Sequence, residues 1–390
     1  MKYEIQNTPQ LRFPGFEGEW KLKNLEEISS WASGGTPPKD NPLFWDGDIP
    51  WISASSMRGI VYSDSELKIT NAGLKKGSKL ARKGSLLILV RGSMLFNKIP
   101  IGIVSKDVSF NQDVKSIVVD SNYSTSEFIL NWFTAFEPKI LNMVTGTGIG
   151  AGKLDLPDLK ALKISLPTLP EQQKIASFLS AVDEKIQQLS RKKELLSQYK
   201  KGVMQQLFSC KLRFKDENGN HYADWEEKKL GKIARITTGS SNRQDSNLDG
   251  EYTFFDRSQD IRSSNIFLFD TEAIIVPGEG QEFIPKHFIG KFDLHQRTYA
   301  VMDFGVNAGK FLFYYIGYHS NHLNSHAVGS TVKSLRLPMF EKMPINLPSL
   351  EEQQKIANFL SNIDAKIESC SQQINQTQSF KKGLLQQLFV

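Results

Sequence analysis

The chain has 390 residues, which is long enough for two or more domains, and its 39% hydrophobic and 23% charged content is typical of an ordinary soluble globular protein. Apolar runs such as Leu86–Val90 are too short to span a bilayer, and the N-terminus lacks the apolar stretch of a signal peptide. The net charge of +6 suits a polyanionic partner but is a weak signal alone. Two cysteines, Cys210 and Cys370, do not occupy matching repeat positions, which favours free thiols and a cytoplasmic location.

The first part of the chain predicts a mixed α/β domain. Short apolar, β-branched runs predict strands at Ile49–Ile52, Leu86–Val90 and Ser116–Val119. The segment from Ser124 to Leu141 carries a Ser suited to an N-cap and regularly spaced aromatic residues, which predicts one packed helix.

A long helix is predicted next, within Leu166–Ser209. Pro167 marks its start, and Glu171 falls in the first turn, where a carboxylate favours the helix dipole. Apolar residues then recur every seven positions, which predicts a coiled-coil seam of about five heptads on a helix about 55 Å long. Lys193 and Lys200 interrupt this seam, and we expect them to face neutral residues of a partner helix.

The second half of the chain repeats the edges of the first. The motif Leu11–Phe13 recurs at Leu212–Phe214, and the final segment, Leu347–Val390, matches Leu166–Ser209 without a gap at roughly half of its positions. Between these edges the two halves diverge. Strands are predicted at Ala273–Val276 and Arg297–Met302, and the aromatic run Phe311–Tyr318 is the expected counterpart of the first packed helix.

This repeat predicts four segments: a first mixed domain at residues 1–165, a helical spacer at 166–210, a second mixed domain at 211–346 and a second spacer at 347–390. Two long helices with narrow apolar seams can satisfy each other in one chain. The alternative is a pair of core helices in a bundle.

No catalytic motif emerges from the sequence. Gly146–Lys153 has the wrong spacing for a phosphate-binding loop. Asn41–Phe44 lacks the second Pro of the amino-methyltransferase motif, and no glycine-rich cofactor fingerprint precedes it. The six histidines have no metal-ligand spacing. We therefore expect no metal and no active site.

Four motifs carry a resemblance to a known family. The two helical repeats share Leu-Pro-x-Leu-x-Glu-Gln-Gln-Lys-Ile-Ala, at Leu166–Ala176 and Leu347–Ala357, and Lys-Lys-Gly-x-x-Gln-Gln-Leu-Phe, at Lys200–Phe208 and Lys381–Phe389. The first middle region adds Gly47–Ile52 and Asn111–Gln112, where the second half departs with Gly250–Phe254 and His295–Gln296. On these residues the chain resembles the DNA-specificity subunit of Type I restriction–modification enzymes.

The resemblance implies an α+β fold: two mixed α/β target-recognition domains separated by two long antiparallel coiled-coil helices, with a pseudo-two-fold internal repeat. It implies a non-catalytic subunit that binds no cofactor itself. Each target-recognition domain would read one half of a split double-stranded DNA target. The helices would dock two modification subunits, which supply S-adenosylmethionine and adenine methylation. Restriction subunits, which use ATP and Mg, would join them.

Residues that could bind DNA are cationic side chains, which contact phosphates, and side chains with hydrogen-bond donors and acceptors, which contact base edges. The candidates are Ser53, Ser55, Ser56, Arg58, Arg91, Asn97, Lys98, Asn111 and Gln112 in the first middle region, and Asn242, Arg243, Arg257, Arg262, Gln281, Gln296, Arg297, Asn324 and Lys333 in the second. The candidates for the helix seam and partner docking are Ile175, Leu179, Val182, Ile186, Ile356, Leu360, Ile363 and Ile367. Each polar candidate could equally be solvated surface, and Asn111 and Gln112 could equally cap a loop.

Three other functional classes remain open at this point, and one of them, a transcription factor built on two recognition domains, lacks a helix-turn-helix signature in this sequence. A two-domain protein-interaction scaffold or regulator would lack salt-dependent binding to duplex DNA. A self-sufficient methyltransferase would need a complete cofactor motif.

Overall fold

The computed structural model describes residues 8–148 and 150–390, and the helices in this part of the chain include none that is long and apolar enough to cross a membrane. The chain divides into two compact units. The first comprises Met1–Leu189 and Gln373–Val390, and the second comprises Ser190–Gln372. Each unit therefore holds a mixed α/β domain and parts of two long helices. The four-segment division drawn from the sequence stays a prediction.

The first unit contains the following elements. The strands are β1 (Lys21–Asn24), β2 (Ser29–Ser33), β3 (Trp45–Ile52), β4 (Val61–Tyr62), β5 (Lys68–Ile69), β6 (Lys79–Ala81), β7 (Leu86–Leu89), β8 (Arg91–Gly92), β9 (Ile101–Val104), β10 (Val108–Phe110), β11 (Val114–Val119), β12 (Thr145–Gly146), β13 (Gly152–Lys153) and β14 (Lys163–Leu166). The helices are α1 (Asn71–Gly77), α2 (Ser126–Ala135), α3 (Glu137–Leu141), α4 (Leu156–Lys160) and the start of α5 (Leu169–Phe208).

The described part of this unit has three larger sheets, in the orders β5-β3-β10-β6, β2-β11-β7-β9-β4 and β12-β13-β8, and a two-stranded sheet of β1 and β14. All four residues of β7 are buried, which confirms the predicted buried strand at Leu86–Val90. Ile149, between β12 and β13, lies outside the described residues.

The predicted helix from Ser124 to Leu141 is in fact two helices, α2 and α3. Pro138, the second residue of α3, cannot donate a backbone hydrogen bond and is compatible only with the first turn of a helix, so the helix restarts there. The N-cap of α2 is Thr125, whose hydroxyl accepts from the backbone N–H of Phe128 at 3.2 Å. Ser124 instead donates to the carboxamide oxygen of Gln172 at 2.7 Å.

The second unit contains the remaining elements. The strands are β15 (Glu226–Lys229), β16 (Arg235–Thr238), β17 (Tyr252–Phe255), β18 (Arg262–Ser264), β19 (Phe269–Pro277), β20 (Glu279–Gly280), β21 (Lys286–Leu294), β22 (Thr298–Met302), β23 (Lys333–Ser334) and β24 (Pro344–Leu347). The helices are α6 (Leu230–Ile233), α7 (Gly309–Tyr318), α8 (Ser320–His326), α9 (Leu337–Glu341) and the start of α10 (Leu350–Leu388). A six-stranded sheet has the order β16-β22-β19-β21-β17-β18. The helix predicted at Phe311–Tyr318 is confirmed as α7.

In each domain, an equivalent antiparallel pair joins the first and last strands. β1 pairs antiparallel with β14, with Lys21 opposite Leu166, and β15 pairs antiparallel with β24, with Glu226 opposite Leu347. The first and last strands of each domain thus lie side by side, immediately before the long helix begins.

A buried ion pair anchors the start of each long helix. The guanidinium of Arg12 donates to both carboxylate oxygens of Glu171, at 2.7 and 2.8 Å, and Arg213 does the same to Glu352, at 3.2 and 2.8 Å. The side chains of Glu171 and Glu352 are 1% and 0% exposed. These glutamates therefore do more than favour the helix dipole, because they hold the repeated segment before each domain.

The glutamine after each buried glutamate is also engaged. The side-chain amide of Gln172 donates to the backbone oxygens of Tyr123 and Pro167. Gln353 accepts from the backbone N–H of Ala308 at 2.9 Å and donates to the oxygen of Pro348. Each glutamine therefore joins its long helix to the loop that precedes the packed helix of the same domain.

Ion pairs between the long helices correct one expectation. Lys200 does not face a neutral residue, because its ammonium lies 2.6 Å from the carboxylate of Asp364 in the second unit. The equivalent pair in the first unit joins Lys381 to Asp183, also at 2.6 Å. Since Asp183 precedes Lys200 while Lys381 follows Asp364, the two helices run antiparallel.

We predict that Glu352→Ala destabilises the first turns of α10 by about 3 kcal/mol, because it leaves the mostly buried guanidinium of Arg213 with only the exposed carboxylate of Asp224, 3.4 Å away, as an ionic partner. Hydrogen exchange of the backbone amides in residues 347–360 measures this local stability. Glu351→Ala is the matched control, since Glu351 is exposed in the same turn. Equal exchange in the two variants would show that the pair contributes nothing.

A fragment of residues 1–210 is predicted to form a two-fold dimer. Asp183 and Lys200 are the repeat equivalents of Asp364 and Lys381, so each copy would offer both members of the ion pair to the other. Since the dimer contains the pair twice, Asp183→Asn should weaken it roughly three- to tenfold, and added salt should weaken it too. Analytical ultracentrifugation measures both effects. Glu184→Gln, at an exposed neighbour, should have no effect, and a fragment that stays monomeric at every salt concentration contradicts the prediction.

Candidate functional site

One pair of parallel strands occupies the same place in both domains. β10 pairs with β3, with Phe110 opposite Ile52, and β21 pairs with β17, with Leu294 opposite Phe255. Directly after these pairs, the backbone N–H of Asn111 donates to Ile52, and that of His295 donates to Phe255, both at 2.9 Å. In each unit, the residues that follow the two paired strands therefore lie close together.

A glycine packs against this strand pair in each domain. A Cβ atom on Gly34 would lie 2.1 Å from the backbone oxygen of Phe110, and one on Gly239 would lie 1.6 Å from that of Leu294. Only glycine fits such a close approach of two backbones. These glycines match in the sequence repeat, so the repeat extends to the backbone of the site.

In the first unit, the candidate side chains lie around the ends of β3, β8 and β10. Ser53, Ser55 and Ser56 form the turn after β3, where the hydroxyls of Ser53 and Ser55 are 3.0 Å apart. Arg91 lies on β8, opposite Lys153 of β13. The side chains of Arg58, Arg91, Asn97 and Lys98 are exposed. This surface therefore presents hydroxyls, amides and cations to solvent.

Asn111 and Gln112 differ in their surroundings. Asn111 is buried, and its carboxamide oxygen accepts from the backbone N–H groups of Asp113 and Val114, both at 3.1 Å. Gln112 is exposed and accepts from the hydroxyl of Thr36 at 2.6 Å. Asn111 thus caps a loop, which is the alternative that the sequence left open, while Gln112 remains at the surface.

In the second unit, four arginines surround two carboxylates. Arg257 and Arg297 both donate to Glu279, the latter at 3.0 and 3.2 Å. Arg243 and Arg262 lie 3.6 and 3.7 Å from the carboxylate of Asp256. We call these six residues the arginine cluster. Its arginine side chains are 33% to 57% exposed, so the net cationic cluster faces solvent.

The cluster keeps its carboxylates ionised. Burial alone would favour the protonated form of Glu279, but hydrogen bonds from Arg257 and Arg297 outweigh it and hold the pKa of the carboxyl below its usual range. Burial likewise opposes ionisation of Asp256, whose pKa is nevertheless lowered by two hydrogen bonds from Ser258 and by the nearby arginines. The pKa of His295 is lowered by burial and by the charge of Arg257, which favours neutral imidazole.

The other candidates of the second domain lie next to cluster residues in the sequence or are joined to them through β23. The amide of Gln296 donates to the carboxamide oxygen of Asn242 at 2.6 Å. Gln281 donates to the backbone oxygen of Thr331 at 3.0 Å, and Lys333 of β23 donates to that of Asn324 at 3.3 Å. Since β23 pairs with β20, which carries Glu279, these residues adjoin the arginine cluster. Whether any of them contacts a ligand stays a prediction.

Sequence reasoning missed the two carboxylates that organise the cluster. A signal for Asp256 was present, because it follows Gly250–Phe255 just as Ser53 follows the matching motif Gly47–Ile52. Glu279 had no such signal, since its arginine partners come from other parts of the chain. In the described ranges, no group of three or more His, Cys, Asp or Glu side chains could hold a metal ion.

The predicted seam residues pack against the chain itself. Ile175, Leu179 and Val182 are buried in the core of the first unit, which also contains the end of α10. Ile356, Leu360 and Ile363 are buried in the second, which contains the end of α5. Ile186 and Ile367 are partly buried. Docking of a partner through these residues stays a prediction.

Comparisons with known proteins give a consistent result. A family profile described as the Type I restriction modification DNA specificity domain matches residues 17–198 and 222–378. The chain is 34% identical over 169 residues to the Escherichia coli type I restriction enzyme EcoR124I/EcoR124II specificity subunit, which covers 43% of this chain and 42% of that protein. It thus spans less than half of the length of this relative.

A longer match is to the putative type I restriction enzyme MjaX specificity subunit of Methanocaldococcus jannaschii. The two are 25% identical over 414 residues, which covers 98% of this chain and 96% of that protein. Among solved structures, the Type-I restriction-modification system S subunit from M. genitalium matches with a TM-score of 0.64 at 16% identity, covering 98% and 99% of the two chains. At this identity the structural match supports a shared fold.

Proposed function

The chain belongs to the family of Type I restriction modification DNA specificity domains, and from this premise we propose that it reads a split double-stranded DNA target, with one recognition domain for each half-site. Members of this family are specificity components and not catalytic subunits. In this proposal the chain binds no cofactor itself, and DNA is its direct ligand.

The observation that carries the proposal is that both domains contain the same parallel strand pair, which we call the strand platform, but carry different side chains around it. Both domains place residues after the same parallel strand pair, yet the groups at the surface around it differ, with the hydroxyls of Ser53 and Ser55 and the cation of Arg91 in the first domain and the arginine cluster in the second. Each base pair presents its own pattern of donors and acceptors in the major groove. Two platforms with different polar groups therefore suit two different half-sites.

The cationic groups fit the DNA backbone. Exposed Arg58, Arg91 and Lys98 in the first domain, and the arginine cluster in the second, can contact phosphates, which contribute affinity without regard to sequence. Amides such as Gln112 and Gln296 can accept from and donate to base edges. Binding should accordingly weaken as salt concentration rises.

We further propose two modification subunits as partners, one for each repeat. A partner that recognises one helix finds an equivalent surface on the other, as in a two-fold assembly. Tyr199 and Phe380 occupy equivalent repeat positions and are 53% and 55% exposed, which suits such a pair of contacts. The modification subunits would supply S-adenosylmethionine, and restriction subunits would supply ATP- and Mg-dependent cleavage. The assembly would act in the cytoplasm, where its DNA target lies.

Methylome sequencing tests the proposal directly. Cells that express this chain with its modification subunit should show adenine methylation at a split motif, and cells without the chain should not. Methylation without a split motif, or none at all, would count against it. A two-domain scaffold without a DNA target would leave the methylome unchanged and would not bind duplex DNA in a salt-dependent manner.

Exchange of one domain tests the assignment of one reader to each half-site. Replacement of residues 225–347 by the equivalent region of a relative should change one half of the methylated motif and preserve the other, because the two platforms lie in separate units. Replacement of residues 20–166 is the reciprocal control and should change the opposite half. If either exchange alters both halves, the domains do not read independently.

A further inference from the structure

The two domains carry opposite charges at one matched backbone position. Arg91 begins β8 and Glu279 begins β20, and each is followed by a glycine with a strongly positive φ, 153° at Gly92 and 149° at Gly280. The preceding backbone N–H donates in each case, from Val90 to the oxygen of Asp113 and from Gly278 to that of Arg297. Arg91 thus corresponds to Glu279, and Asp113 corresponds to Arg297.

The exchange of Arg91 for Glu279 changes which charged side chains are exposed at this position. In the first domain Arg91 is itself exposed. In the second domain the side chain of Glu279 is only 18% exposed, while Arg257 and Arg297 around it are 43% and 57% exposed. The carboxylate is therefore covered by two guanidinium groups, and the cations form the outer layer.

We propose that Glu279 is a positioning residue for the second half-site, which orients Arg257 and Arg297 for DNA recognition. This inference rests on the proposed function of the second domain as a DNA reader. Glu279 acts through the two arginines and needs no contact with DNA of its own.

The geometry gives the physical reason. A guanidinium carries five N–H donors in a planar fork, and Glu279 occupies Nη1 of both arginines. A fixed Nη1 limits the orientation of each plane, so less side-chain freedom is lost when the remaining donors meet a base edge or phosphate. An isolated arginine on this surface would sample many orientations and distinguish bases poorly.

Glu279→Gln tests the role, because an amide offers one acceptor oxygen and an NH₂ group that cannot accept from the second arginine. The chain is assembled with its modification subunits and titrated with duplexes that carry the methylated motif, with either half-site substituted in turn. The variant should lose roughly tenfold of its discrimination at the second half-site, the value of one well-oriented bidentate contact. Discrimination at the first half-site should be unchanged.

Glu282→Gln is the matched control, since it removes the same charge from an exposed neighbour and should keep wild-type discrimination. If Glu279 merely repelled DNA, Glu279→Gln would tighten binding to every duplex and leave the discrimination unchanged, which overturns the inference. Glu279→Asp keeps the charge but is one methylene shorter, so it should relax the same half-site.

Thermal unfolding of each variant separates a folding defect from a loss of orientation. If Glu279→Gln melts well below the wild type, the inference is tested by the discrimination of Glu279→Asp at the second half-site. Full discrimination in that variant overturns the inference. A wild-type complex that distinguishes neither half-site overturns the proposed function instead.

Discussion

The structure depends on a carboxylate that is buried in the first turn of each long helix. Glu171 and Glu352 would be costly to bury alone, and each is stabilised by an arginine from the segment that precedes its domain. The neighbouring glutamine binds the loop before the packed helix. Two adjacent side chains thus fix the direction in which the helix leaves its domain. The arginines belong to the repeated motif Leu11–Phe13 and Leu212–Phe214, so each half of the chain contains both the arginine and the glutamate of its ion pair.

The sequence was sufficient to predict features that depend on local pattern. The internal repeat, the long helices and the buried strand at Leu86–Val90 follow from periodicity and composition, and the structure contains them. The break between α2 and α3 was also visible as Pro138, but the strong aromatic pattern across it favoured one helix. Periodicity describes which face is apolar and does not report a local interruption.

Features that depend on contacts between distant residues were harder to predict. The pair of Lys200 with Asp364 joins residues on two helices, and a seam pattern cannot show which polar groups meet across it. The arginine cluster joins side chains from five places between Arg243 and Arg297. The sequence did single out all four arginines by type, yet Asp256 and Glu279 appeared as ordinary surface carboxylates. Their importance comes from burial and hydrogen bonding, which only the fold supplies.

The ion pairs between α5 and α10 have an evolutionary consequence. Each repeat carries one aspartate and one lysine of these pairs, and the aspartate of each repeat binds the lysine of the other repeat. A segment that is its own partner can be duplicated, lost or traded between relatives without a compensating change elsewhere. In a chain that reads DNA as proposed, exchange of a whole domain between these helices changes the target while the ion pairs between α5 and α10 are kept, so a new specificity needs no compensating substitution in the helices.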